Sequence, residues 1–442
     1  MPDNNKPLFS RPVLTLVMFF CILAIWVLNL ASSNSKLPSP NIETWTTTSG
    51  IPVIWLKQSE WKNSNKLEVR FSFHSNTNNT TLVQTTFAIL MSDSLSLSTA
   101  TINQRLEPLA ARASSYYDHE NQVIGLTLSN EPQYLQPTLS LITNWLSQPA
   151  FKQRTFDTWQ HQKQINTSAQ SNRELTVYSN TVFSNTTSKQ NSQTVADLSL
   201  IQVSDFYQDL QHSAGTIFVV GDLSTEAKQT LEVALNTISQ NFQLSQSITE
   251  PDQNTKASSI ALATEGQYLW QTKSAMALAP ISSIQEWLSL QIWGADLVST
   301  LNQQEHIDFV QLALTLSQHQ PWTEWNIQYA NHFTEKAKSN TSNNIMDAIS
   351  FTSIEKVPSA NDEVAFELLF NSFKTQLEQQ VQSPTWWSYI ATQVTHENSQ
   401  LTIEEFVNDY KQAVDNFTIE EYQTALKQLL KPSSYQEIQV YQ

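Results

Sequence analysis

Residue types that commonly bind metals or act as nucleophiles are spread along this chain, and one short segment concentrates them. Tyr117, Asp118, His119 and Glu120 are consecutive. The segment falls at the start of a predicted strand, where neighbouring side chains point to opposite faces and do not converge on one ion. A solvated turn is the favoured interpretation. Serines are abundant, but the Gly-x-Ser-x-Gly turn that exposes a nucleophilic serine is absent, so this serine hydrolase arrangement is not predicted.

Charge and composition exclude several classes of function. The 442-residue chain has 40 acidic and 24 basic residues and a net charge of −16, whereas binding to nucleic-acid phosphates needs a basic surface. Only six glycines occur, so a Gly-rich phosphate loop is not expected. The single cysteine, Cys21, lies in an apolar N-terminal segment, and the remainder is predicted to have neither a disulfide nor thiolate chemistry. We expect a peptide or protein partner and no nucleic acid.

The apolar N-terminal segment predicts a membrane anchor. Residues 13–28 are apolar apart from Thr15, which is close to the minimum length of a membrane-spanning helix. Lys6 and Arg11 precede the segment, and the positive-inside rule then places residues 1–11 in the cytoplasm. We predict a transmembrane helix at 12–30, a polar linker at 31–42, and a single-pass protein of a bacterial inner membrane with its body in the periplasm. A cleaved signal peptide is the alternative.

The spacing of apolar residues predicts an α+β protein with segregated strands and helices. A helix followed by a strand occurs at residues 196–222 and again at residues 417–441, which indicates an internal repeat. We therefore predict two similar domains at 43–242 and 259–442, joined by a polar linker at 243–258. In the first half, strands are predicted at residues 67–73, 123–128 and 216–222, and helices at residues 82–97, 102–111, 134–146, 156–168, 198–210 and 225–241.

Two tryptophan pairs are candidate contact patches for a partner. Trp386 and Trp387 are adjacent, and Trp322 and Trp325 are three residues apart. Large aromatic side chains are more often buried in a core than presented at a surface, so core packing is the favoured interpretation of both pairs.

The order of several short motifs resembles the insulinase/pitrilysin-type metallopeptidases, which include the mitochondrial processing peptidase subunits. A hairpin turn at Ser49-Gly50 is followed by alternating apolar residues, and Pro149-Ala150-Phe151 precedes a long predicted helix. Val203-Ser-Asp-Phe-Tyr207 then precedes the strand Thr216-Ile-Phe-Val-Val-Gly-Asp222. The resemblance covers residues 43–442 and implies two similar metallopeptidase-like α/β-sandwich domains.

The same resemblance implies that the zinc site is lost. The family carries an inverted His-x-x-Glu-His motif on the helix that matches Thr85–Asp93, and a distal Glu as third ligand. Ile89 and Asp93 stand at the histidine positions, Ser92 stands at the position of the general base, and Ser168 at that of the distal Glu. Isoleucine cannot bind zinc and a serine hydroxyl is too weak a base to activate water. We therefore expect no metal, no cofactor and no catalytic residue.

The second half lacks the substrate-gripping residues that the resemblance implies. Leu290–Leu301 is similar to the family's Gly-rich helix that bears an arginine, and a tyrosine follows somewhat downstream in the family. Thr300 and Phe309 take these two positions here. Threonine cannot replace a guanidinium group and phenylalanine lacks the donor hydroxyl, so both substrate-grip positions are degenerate.

The resulting hypothesis is a membrane-anchored pseudopeptidase that acts by binding a peptide or protein. The resemblance implies pairing with an active zinc metallopeptidase homologue or with a second copy of itself. Exposed edge strands would hold extended peptides by strand addition, and the acidic balance would favour basic ones. An active zinc metalloendopeptidase with a divergent metal site is the alternative, and an unrelated envelope protein is a third hypothesis.

Overall fold

The computed structural model describes residues 37–74, 79–94, 111–117, 121–166, 194–245, 258–263, 269–316, 321–330, 357–394 and 401–441. The apolar segment at 12–30, residues 31–36 of the linker predicted at 31–42, and residues 102–110 of the helix predicted at 102–111 lie outside these residues. Within the described ranges, no helix combines the length and the apolar character that crossing a membrane requires.

The first half of the chain forms a six-stranded mixed sheet. Its strand order is β1-β2-β6-β3-β5-β4. β2 runs parallel to β6 and all other neighbours are antiparallel. The strands are β1 (Asn41–Thr46), β2 (Pro52–Lys57), β3 (Lys66–His74), β4 (Arg112–Tyr117), β5 (Asn121–Ser129) and β6 (Ala214–Val220).

Within the described part of the first half, five helices accompany this sheet, and several begin at side-chain caps that the sequence supplies. Asn79 accepts a hydrogen bond from the Leu82 backbone at 3.1 Å, and Ser199 and Gln202 form a capping box. Four of the helices connect strands and the fifth follows β6. They are α1 (Thr80–Asp93), α2 (Pro132–Ser147), α3 (Gln153–Asn166), α4 (Leu200–Gln211) and α5 (Thr225–Ile238).

The second half forms a five-stranded sheet with the order β7-β11-β8-β10-β9. β7 and β11 are parallel and the other pairs are antiparallel. The strands are β7 (Ser258–Ala263), β8 (Leu269–Ala277), β9 (Ile307–Thr315), β10 (Trp322–Tyr329) and β11 (Gln436–Tyr441), and the helices are α6 (Ile284–Asn302), α7 (Glu363–Gln380), α8 (Pro384–Val394), α9 (Ile403–Asn416) and α10 (Ile419–Leu429).

The two sheets share one topology. The order β2-β6-β3-β5-β4 in the first matches β7-β11-β8-β10-β9 in the second, including the single parallel pair. α4 precedes β6 as α10 precedes β11, so the repeat predicted from the sequence is confirmed. The predicted α+β class, with two similar units, is confirmed as well. The boundaries proposed for the domains stay predictions.

A large hydrophobic core lies between the first sheet and its helices. Val69, Phe71 and Phe73 on β3 are buried in it, because alternate residues of a strand point to the same face. The opposite face of β3 carries the polar residues Glu68 and Arg70 and is covered by α8 of the second half. This crossing of a second-half helix onto the first-half sheet joins the two halves.

Candidate functional site

A cavity of about 850 Å³ lies where the two halves meet, and we call it the inter-sheet cavity. The first half contributes α1 and the edge strand β4 to its wall. The second half contributes α6, α7, α8, β9 and β10. The lining residues are Thr80, Gln84, Tyr116, Tyr117, Trp287, Gln291, Gly294, Ala295, Val298, Leu312, Ala313, Leu314, Thr315, Trp322, Glu324, Phe373, Gln376, Gln380, Trp386, Tyr389, Ile390 and Gln393.

Two sheet edges border this cavity. β4 pairs only with β5, and β9 only with β10, among the strands that the structure describes. Five of the six residues of β4 are exposed, including Tyr116. An edge strand presents unpaired N–H and C=O groups with which an extended chain can pair. The cavity therefore offers backbone hydrogen bonding from both sheets.

Amide and aromatic side chains dominate the remaining lining. Tyr117 of the first half is hydrogen-bonded to Gln84, and Tyr389 of the second half to Gln393. Burial raises the pKa of both phenols, and each glutamine partly opposes that rise. Both tyrosines are consequently neutral at physiological pH and act as hydrogen-bonding groups.

A tryptophan cluster shapes the wall opposite β4. Trp386 lines the cavity and packs edge-on against buried Trp287, with ring centroids 6.3 Å apart. Trp387 points the other way, is fully buried and donates from its indole N–H to the Val381 carbonyl at 2.8 Å. The structure thus divides each predicted tryptophan pair. Trp387 and Trp325 are core residues, whereas Trp386 and Trp322 line the cavity.

Among the lining residues that the structure describes, Glu324 is the one with an ionisable carboxylate, and no lysine or arginine is among them. Five glutamines supply neutral donors and acceptors, which suit a peptide backbone. A single carboxylate in a wall of this kind favours a positively charged group over a negatively charged one. The local charge agrees in sign with the net charge of the chain.

The predicted zinc-motif positions do not meet at this cavity. Ile89 is fully buried with Phe156, Leu198 and Val203, on the side of α1 that faces α3 and α4. Ser92 is exposed and donates to the Ile89 carbonyl at 3.2 Å. Asp93 is the last residue of α1, and Ser168 lies outside the described residues.

The two predicted substrate-grip positions also lie outside the cavity lining. The Thr300 hydroxyl is hydrogen-bonded to the Asp296 carboxylate of the same helix at 3.3 Å. Phe309 is 50% exposed on the edge strand β9 and pairs with Gln328. Of the cluster at residues 117–120, Tyr117 lines the cavity and the following three residues are outside the described ranges.

The residues of α1 that do face the cavity were not predicted from the sequence. Thr80 and Gln84 are one helical turn apart, and both line it. The available signal in the sequence was Gln84, the one glutamine of this helix, which the structure leaves exposed between buried Val83 and Thr85. An amide and a hydroxyl are not the imidazole, thiolate or carboxylate groups that hold catalytic zinc, so this helix face does not fit the metal. Within the described residues, no group of three or more His, Cys, Asp or Glu side chains has the arrangement of a metal site.

Sequence comparison gives no relative, because no family model and no curated protein matches the chain. Structure comparison gives many. The inactive domain of a peptidase M16 from Pseudomonas fluorescens is 15% identical and has a TM-score of 0.64, with 90% of this chain and 97% of that chain covered. The periplasmic protease PqqL from Escherichia coli is 13% identical with a TM-score of 0.65, and 92% of this chain is covered.

The ferredoxin protease FusC, solved in complex with Arabidopsis ferredoxin, is 11% identical with a TM-score of 0.69 over 91% of this chain. The chain spans about half the length of FusC and of PqqL, at 46% of each. Identities this low establish the fold alone. Two sheets of one topology, joined at a common cavity, together with these neighbours give the chain the fold of the M16, or insulinase/pitrilysin-type, metallopeptidases.

Proposed function

We propose that this chain is a non-catalytic peptidase-like protein that binds an extended peptide or protein segment in the inter-sheet cavity. The observation that carries the proposal is the convergence of two sheet edges on a cavity lined by amides and aromatic rings. Edge strands supply backbone hydrogen bonds, glutamines satisfy the remaining amides, and tryptophan and tyrosine rings pack on side chains.

The loss of catalysis is part of the same proposal. The cavity face of α1 presents Thr80 and Gln84, which cannot hold zinc, and Ile89 is enclosed in a core. The P. fluorescens neighbour is described as an inactive domain, so this fold occurs without activity elsewhere. FusC was solved with a bound protein, which supports a protein ligand.

Pairing and location complete the proposal. FusC and PqqL are about twice as long as this chain, and a second two-sheet chain would supply the other half of such an assembly. We propose an active zinc metallopeptidase homologue as that partner, with the N-terminal apolar segment anchoring the pair to a bacterial inner membrane and the body in the periplasm. The periplasmic location of PqqL supports the last point.

Peptide binding tests the proposal directly. Fluorescence anisotropy of a labelled, extended peptide carrying one lysine is measured against the full chain. Trp386→Ala is expected to weaken binding by about 2 kcal/mol, roughly thirty-fold, as for a central aromatic contact. Tyr134→Ala is the matched control, because Tyr134 is a partly exposed aromatic residue outside the cavity lining. Equal effects of both variants, or no binding at all, would refute the proposal.

A second peptide comparison separates strand addition from nonspecific contact. Proline at alternate positions removes the backbone donors that an edge strand needs, so a proline-substituted peptide is expected to bind at least ten-fold more weakly. Replacing the lysine of the peptide by glutamate is expected to weaken its binding to the native chain. The same replacement is expected to weaken binding to the Glu324→Gln variant by a smaller factor.

The alternative, an active zinc endopeptidase with a divergent metal site, makes a different prediction. The purified chain would then contain stoichiometric zinc and would cleave peptides in a reaction that a chelator abolishes. That result would exclude the pseudopeptidase proposal and leave the fold assignment unchanged.

A further inference from the structure

A buried ion pair lies between the first-half sheet and the second-half helix α8. Glu68 and Arg70 are on β3, with Oε2 and Nη2 3.4 Å apart. The Glu68 side chain is 1% exposed and that of Arg70 is 17% exposed. Burial lowers the pKa of Arg70 and the Glu68 carboxylate partly restores it, so the guanidinium stays charged.

The hydrogen bonds of this pair cross from one half to the other. The Thr385 hydroxyl of α8 donates to Glu68 Oε1 at 2.8 Å, and Arg70 Nε donates to the Ser388 hydroxyl of α8 at 3.1 Å. Within the first sheet, Thr127 donates to both carboxylate oxygens at 3.0 and 3.1 Å. Each charged group therefore holds one hydroxyl of the same short helix.

A glycine makes room for the guanidinium group. Arg70 pairs directly with Gly125 across β3 and β5. A Cβ atom at Gly125 would lie 2.6 Å from Arg70 Nη1 and 2.7 Å from the Ser114 hydroxyl. Such distances are shorter than real contacts allow, so an alanine would displace the guanidinium from its place over the sheet.

Helix α8 contacts the ion pair with one face and lines the inter-sheet cavity with the adjacent face. Thr385 and Ser388 are three residues apart on the side that meets the ion pair. Trp386, Tyr389 and Gln393 lie on the side that lines the inter-sheet cavity. A displacement of α8 from the sheet would therefore move one wall of the cavity.

Stability alone is a weak explanation for these charges. Replacing a buried ion pair by apolar residues of similar size is often neutral or stabilising, because desolvation offsets the attraction. Charged hydrogen bonds differ from apolar contacts in being directional, and here they fix two specific hydroxyls. They select one position of α8 where apolar packing would tolerate several.

We propose that Glu68 and Arg70 are positioning residues that hold helix α8 in register with the first-half sheet and thereby set the width of the inter-sheet cavity. The consequence for ligand binding rests on the proposed function. The consequence for the geometry does not, because the distance between the two halves can be measured without a ligand.

The distance between the halves is measured by double electron–electron resonance in the full chain. Val233 on α5 and Leu368 on α7 are 67% and 70% exposed, and cysteines there carry the spin labels. Cys21, the only native cysteine, is replaced by serine. The spin-labelled chain with no substitution in α8 is expected to give one narrow distribution of the distance between the two labels. The double variant T385V/S388A, which removes both hydroxyls, is expected to broaden or shift it and to weaken peptide binding about ten-fold.

Two control variants of α8 separate the loss of the hydrogen bonds to the ion pair from other changes in the helix. T385S keeps the hydroxyl, and T392V removes a hydroxyl of α8 that donates to the Tyr389 carbonyl of the same helix at 2.8 Å. Both are expected to keep the narrow distribution. Gly125→Ala acts on Arg70 from the sheet and leaves the sequence of α8 unchanged. It is expected to give the same broadened or shifted distance distribution as the double variant, and it provides the test if the double variant does not fold.

A purely structural role would lower the melting temperature of T385V/S388A and of Gly125→Ala without changing the distance distribution. That result would overturn the inference. If the native chain binds no peptide but the distribution still broadens in both variants, the positioning role holds and the proposed function fails. The two proposals are therefore separable in one experiment.

Discussion

Replacing Ile89 and Gln84 by histidine in turn tests which face of α1 is directed towards the cavity. Both residues are on α1, the helix where the resemblance places the zinc motif, and of the two only Gln84 lines the cavity. Ile89 is fully buried, with Phe156, Leu198 and Val203 around it. The same new side chain therefore enters two different environments.

The expected magnitudes follow from burial. Ile89→His removes a fully buried isoleucine, whose burial contributes about 1.5–3 kcal/mol. It also places imidazole nitrogens among apolar side chains, and an unsatisfied buried polar group costs about 1–3 kcal/mol. We expect Ile89→His to lower the free energy of unfolding by about 4 kcal/mol. Gln84 is exposed, so Gln84→His is expected to change it by less than about 0.5 kcal/mol.

Urea unfolding of the two variants and the native chain, followed by tryptophan fluorescence, measures both values. Isothermal titration with zinc gives an independent readout, since a histidine facing the cavity is accessible to the metal and one in the core is not. Two outcomes would refute the assignment of the faces. One is an Ile89→His variant as stable as the native chain, and the other is zinc binding gained by Ile89→His and not by Gln84→His.

Three further predictions concern stability. Among the described residues, burial raises the pKa of four tyrosines above 10 in addition to Tyr117 and Tyr389, so above that pH the unfolded chain releases protons that the folded chain retains. The free energy of unfolding should then fall by about 1.4 kcal/mol per pH unit for each tyrosine. Tyr207→Phe should make this fall with pH less steep, which urea unfolding at a series of pH values from neutral to alkaline measures. Gly221 has φ of +149°, and an added Cβ would lie 2.9 Å from the Lys66 carbonyl oxygen, so Gly221→Ala should lower the free energy of unfolding by about 1–3 kcal/mol. Thr418 and Glu421 form a capping box on α10, and Thr418→Ala should cost about 1 kcal/mol, whereas Thr424→Ala, which removes an exposed hydroxyl from the same helix, should cost less than half as much. The four tyrosines of the first of these predictions, whose pKa burial raises, are Tyr207, Tyr410, Tyr422 and Tyr435.

Apolar periodicity located the strands and helices that bury one face. β5 was predicted at 123–128 and lies at Asn121–Ser129. It could be predicted because its residues are buried almost throughout. β4 was not predicted. Arg112–Tyr117 is an edge strand exposed along most of its length, so it has no apolar alternation that a pattern could detect.

The direction of a helix face is set by contacts that are distant in sequence. The resemblance places Ile89 at a histidine position of the family motif, whereas in the structure Ile89 packs on the side of α1 that faces α3 and α4 and belongs to a hydrophobic core. Gln84 faces the cavity because Tyr117 on β4 and the helices of the second half border it there. No local spacing contains this information. The same holds for Glu68, whose partner Thr385 is 317 residues away.

The position of β11 in its sheet has a consequence for how the protein is made. β11 lies between β7 and β8, although β8 ends at Ala277 and β11 begins only at Gln436. During synthesis, β7 and β8 leave the ribosome long before the strand that separates them, and two neighbouring edges then stay open. The first sheet is completed by β6, which ends at Val220, so it can fold while the second sheet is unfinished. Until β11 is in place, the facing edges of β7 and β8 can pair with other chains.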